Sequence, residues 1–139
     1  MAKGFNPPGL WGRQGLSFSQ GVVQPEGKVI HCSGQVAWDE DNEVVGKGDV
    51  EAQTRQCIAH IETLLAAVGG RLEDIVSMTI FYTDPEQIPT IRKVRQEHFK
   101  PESAPVSIFI QAAGLVDPDL LVEMAPIAVV PHERYREPA

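Results

Sequence analysis

The chain has 139 residues, a formal net charge of −7, and 42% hydrophobic and 22% charged residues. Those proportions fit a single folded domain and exclude extensive disorder, and the acidic balance disfavours a broad nucleic-acid surface, which needs clustered Lys and Arg. No apolar run reaches the roughly eighteen residues of a membrane span, and MAKGFNPPGLWG has no apolar signal region, so a cytoplasmic protein is expected.

Residues 1–15, with Pro7, Pro8 and Gly4, Gly9 and Gly12, read as an irregular arm. LSFSQGVV (16–23) alternates apolar and small polar residues as a half-buried strand does. QPEG (24–27) is a turn and KVIHCSG (28–34) a second strand, which together predict a hairpin. VAW (36–38) is a candidate short strand before the polar loop DEDNEVVGKGD.

Asp49 has the position of an N-cap. The following segment sets Ile58, Ile61, Leu64, Leu65 and Val68 at helical spacing and stops at Gly69-Gly70, which predicts a helix of about five turns. IVSMTIFYTD (75–84) is apolar on both alternating faces and predicts a central strand. A second helix is expected over 89–99, with Ile91 and Val94 inward and Arg92, Lys93, Arg95 and Gln96 outward. Strands over 106–110 and 120–130 follow, then a polar tail, 131–139, expected to fray.

The order β-β-(β)-α-β-α-β-β predicts an α+β sandwich, one mixed sheet with both helices on one face. Met78, Ile80, Val122 and Met124 are too many for the helices alone to cover on this reading. The second face is then apolar as well, and oligomerisation is the expected cover.

Five segments, FSQGV (18–22), CSGQVAWD (32–39), GDVEAQTRQCIAHIETLLAAVGG (48–70), DIVSMTIFYTD (74–84) and LLVEMAPIAVV (120–130), resemble the RidA/YjgF family of reactive-intermediate deaminases, also known as endoribonuclease L-PSP. The resemblance covers most of residues 16–130. It implies a chorismate-mutase-like fold, a homotrimer with ligand clefts between subunits, hydrolysis of small imines or enamines, and no metal or organic cofactor.

Family members carry an arginine at the start of the penultimate strand whose fork takes the substrate carboxylate. Here that position is Val106. The usual tyrosine before SQ is Phe18, and the small polar residue of the second helix is Arg92. Glu123 matches the glutamate that activates water, and Gly34 the glycine whose backbone faces the ligand. The implied site is Glu123 as the catalytic group, with Phe18, Gly34, Arg92, Val106, Ser107 and Ile108 binding a small molecule.

Each assignment has a plainer alternative. Glu123 can be an ion-paired interface residue, Arg92 a solvated helix residue, and Ser107 a hydrogen-bond donor, since it has no His/Asp partner at nucleophile spacing. Cys32 and Cys57 read as buried free thiols, and His31, His60, His98 and His132 lack metal-ligand spacing. Trp11 and Trp38 are candidate cleft walls, and His60 is expected to face outward. Val106 removes the carboxylate fork, so weak turnover of 2-aminoacrylate-type substrates is expected. The rival reading is a protein that binds a metabolite without turning it over; ribonuclease activity is disfavoured by the charge.

Overall fold

A computed structural model describes residues 3–139. The strands are β1 (Lys3–Phe5), β2 (Gly21–Val23), β3 (Lys28–His31), β4 (Ile75–Tyr82), β5 (Val106–Gln111) and β6 (Val122–Val130), and the helices are α1 (Val50–Ala66) and α2 (Ile88–His98). A four-stranded mixed sheet runs β3-β6-β4-β5, with β4 and β5 parallel and the other pairs antiparallel. The α+β class is as expected, and so is the order α-β-α-β-β from the first helix onward.

The predicted hairpin is not. β3 pairs with β6 at the far end of the chain, and β2 pairs with β1, which lies inside the arm expected to be irregular. Alternation marks a strand without naming its partner, so adjacency in sequence was a poor guide here. Residues 36–38 form only an isolated bridge, Trp38 to Val44.

α1 begins where Asp49 caps it, its carboxylate accepting the Ala52 N–H at 3.0 Å. Asp49→Ala is expected to cost about 1 kcal/mol, read as a lower urea midpoint with an unchanged slope. α1 buries Cys57, Ile58, Ile61 and Leu65, while Leu64 stays 40% exposed. Glu51, Arg55, Lys93 and Glu97 form an exposed charge network across α1 and α2, with Arg55 Nη1 to Glu97 Oε2 at 2.7 Å.

Met78, Ile80, Val122 and Met124, expected on two faces, all point at the helices and join one core with Ile58, Ile61, Ile91 and Val94. The other face is apolar by different residues. β4 contributes Ser77, Thr79 and Phe81, β6 contributes Glu123, Ala125 and Ile127, and the edge strand β5 contributes Val106, Ile108 and Ile110. Val22 of β2 reaches one end of it, packing with Val76, Val129 and Ile127. Ile108 and Ile110 remain 54% and 41% exposed.

The tail does not fray as expected. Arg134 donates to the fully buried Asp74 through both terminal nitrogens, at 2.6 and 3.0 Å, and to the Gly69 carbonyl at 2.8 Å. Gly69 has φ +79, and a Cβ there would run into the Arg134 carbonyl, so the turn after α1 is shaped to receive the tail.

Candidate functional site

The predicted site residues fall into two groups. The first lies along β5, where the chain before β2 folds across the sheet edge. Ser19 holds it there, its N–H donating to the Pro105 carbonyl at 3.0 Å and its hydroxyl to the Ala104 carbonyl at 2.6 Å. Arg13 donates to the Phe18 carbonyl at 2.9 Å. A cleft of about 100 Å³ results, lined by Trp11, Leu16, Phe18, Arg92, Arg95, Ser107 and Phe109. Phe18, Arg92 and Ser107 therefore do meet.

Trp11 and Phe18 form the outer wall, their ring centres 5.4 Å apart. Arg92 is exposed, with its guanidinium 5.6 Å from the centre of the Phe109 ring.

Arg95 was expected to face solvent and does the opposite. It is 2% exposed, with its guanidinium 5.2 Å from the Phe109 ring centre and 6.0 Å from that of Phe18. Nη1 donates to the Ser107 hydroxyl at 2.9 Å, while Nε is buried with no hydrogen-bond partner. Burial first, and the Arg92 charge second, push its pKa down to about 10. Arginine is seldom buried unpaired, which is why sequence reasoning turned Arg95 outward. The missed signal was spacing, since Ile91, Val94, Arg95 and His98 stand at i, i+3, i+4 and i+7 on α2.

The second group surrounds Glu123 on the outer face of β6. Gln35 bridges to Met124 in a backbone pair at 2.8 and 3.0 Å, which lays Gly34 against the neighbouring Glu123. A Cβ on Gly34 would collide with the carboxylate. A shallow cleft of about 450 Å³ opens here, lined among others by Gly34, Trp38, Asn42, His60 and Glu123. His60 is not turned out to solvent as expected; its Nε2 lies 2.7 Å from the Trp38 carbonyl oxygen, on the wall of this cleft. Gly34→Ala is expected to leave the urea midpoint nearly unchanged, because the clash is with a movable side chain. The expected effect is displacement of the Glu123 carboxylate from its seat against the backbone.

The two groups do not meet within one chain. Ser107 points to the helix face of the sheet and Glu123 to the other face, with β4 between their strands. Val106 and Ile108 share the Glu123 face. Trp11 and Trp38, both read as cleft walls, line the two different clefts.

Cys57 is buried against β6, its thiol pushed up to about 12 by burial first and the Glu123 charge second; burial also raises Cys32. Both are free and neither has the lowered pKa of a nucleophile. Among the described residues no group of three or more His, Cys, Asp or Glu is placed to hold a metal ion, and no helix is long and apolar enough to cross a membrane. A further hollow of about 490 Å³ lies between the C-terminal ends of α1 and α2 and is lined by none of the predicted site residues.

The family model described as endoribonuclease L-PSP matches residues 14–130. The chain is 40% identical over 102 residues to the 3-aminoacrylate deaminase RutC of Acinetobacter baylyi, covering 73% of this chain and 79% of the relative. Among solved structures, the Rid-family protein YyfB of Yersinia pestis superposes with a TM-score of 0.85 at 27% identity, over 93% of this chain and 98% of that one. YyfA of the same organism gives a TM-score of 0.69 at 28% identity, over 81% and 87%.

Proposed function

The chain belongs to the endoribonuclease L-PSP family, the RidA/YjgF group, and on that premise we propose that it hydrolyses a small imine or enamine in a cleft completed by a second copy of itself. The observation that carries this reading is Glu123. An acidic side chain stands on a sheet face whose other residues are uncharged, seated against the Gly34 backbone and opening onto a cleft. A carboxylate so placed takes a proton from water as the water oxygen bonds to the imine carbon. Glu123 returns that proton to nitrogen to give a carbinolamine, then carries the hydroxyl proton to the amine as the C–N bond breaks, so ammonia leaves while the oxygen becomes the carbonyl of the product. Nothing in the step calls for a metal or organic cofactor.

A homotrimer supports the reading in two ways. It covers Ile108, Ile110 and Phe81, and it gives each Glu123 a route to the Phe18 and Arg92 wall of another subunit. The RutC relative is by its name a deaminase of an enamine, 3-aminoacrylate. Two free thiols suit a reducing, cytoplasmic setting.

The test is ammonia and keto-acid release from imines generated in place by an amino-acid oxidase, with light scattering for the assembly. Hydrolysis of at least one imine by a trimer is expected, with 2-aminoacrylate a poor substrate because Val106 offers no charge. Turnover of 2-aminoacrylate matching that of a relative with arginine at this position overturns the second expectation. A chain inert toward every imine overturns the first and leaves a metabolite-binding protein.

A further inference from the structure

We infer that Arg95, with Arg92 at the mouth, is the carboxylate anchor of this protein, and that the cleft takes a flat carboxylic acid against its ring-lined walls. The inference rests on the site being a ligand cleft, and it does not depend on hydrolysis.

Three observations converge on it. Among the described residues neither Arg92 nor Arg95 has a carboxylate within 4.0 Å, although Arg95 is 2% exposed. A cation taken out of water without a counter-charge is costly, and a bound anion removes that cost. The edge of the guanidinium that remains free is also the right one. Nη1 is committed to Ser107, whereas Nε, enclosed in the ligand-free chain, and Nη2 make no hydrogen bond among the described residues, and this pair has the geometry to donate two parallel N–H groups to one carboxylate. Finally, the cleft walls are rings: Phe109 lies beneath both guanidinium groups, and Phe18 and Trp11 close the other side. Flat surfaces of that kind favour an aromatic or conjugated body over a short aliphatic one.

The anchor also explains why valine is tolerated at position 106. An arginine there projects onto the Glu123 face of the sheet, while Arg95 works from the opposite face of β5. An acid held by Arg95 reaches the Glu123 side only if a spacer separates its carboxylate from its imine carbon. An α-imino acid, with the two groups on adjacent atoms, lacks that spacer.

Calorimetric titration of the intact protein with benzoate, benzamide and inorganic phosphate tests the anchor. Benzoate is expected to bind saturably, with benzamide and phosphate each about tenfold weaker or worse, because only benzoate pairs flatness with a planar carboxylate. Arg95→Met is expected to weaken benzoate by about tenfold or more, and Arg92→Met by less; the second variant supplies the mutational arm if the first does not fold. Glu123→Gln should bind benzoate as the unaltered chain does. Equal binding of benzamide or phosphate, or unchanged affinity in the arginine variants, overturns the assignment. Benzoate binding lost with Arg95 while no imine is turned over leaves the anchor standing and removes the hydrolase.

Discussion

Glu123→Gln is expected to lower kcat for imine hydrolysis by about 10²–10⁴-fold, the range a positioned general base contributes, with little change in stability. Glutamine keeps the shape of the side chain against Gly34 but cannot accept the proton of an attacking water. Because the effect is on proton transfer, KM and benzoate affinity should stay near their original values, which separates a chemical role from a structural one. A variant that retains more than about a tenth of the rate shows that another group activates water, and the proposed chemistry then fails.

The second large effect is on stability. Arg134→Met is expected to destabilise the fold by about 3 kcal/mol, the lower end of the range for breaking a buried ion pair because Arg134 itself is partly exposed. Both oxygens of the fully buried Asp74 receive this guanidinium, and Oδ2 also accepts the Arg71 N–H at 2.8 Å. Equilibrium urea unfolding at matched protein concentration measures the loss, matching being needed because assembly adds to apparent stability. A shift under about 0.5 kcal/mol assigns the contact to the weak surface class.

What the sequence made legible follows from which signals are local. α1 announced itself through the Asp49 cap, the apolar stripe and the glycine stop, all within one stretch. β4 and β6 were clear from composition. The pairing of Lys28–His31 with β6 was not, since register between segments a hundred residues apart leaves no mark on either alone. The tail was misjudged because PHERYREPA is polar throughout, and its one decisive contact lies with Asp74, sixty positions earlier. Phe18, Arg92 and Ser107 line one cleft while Gly34 and Glu123 line another, and Arg95 needed the structure: an arginine in an apolar stripe is read as surface until its surroundings are seen.

The wall formed by Trp11, Leu16 and Phe18 belongs to the leading segment, which is tied to the start of β5 through Ser19 and contributes little to the core between sheet and helices. The outer wall of the proposed cleft and its arginine anchor are therefore carried by different parts of the chain. A chimaera that takes the leading segment from a relative is expected to change the ring contacts of that cleft while leaving Arg92 and Arg95 in place.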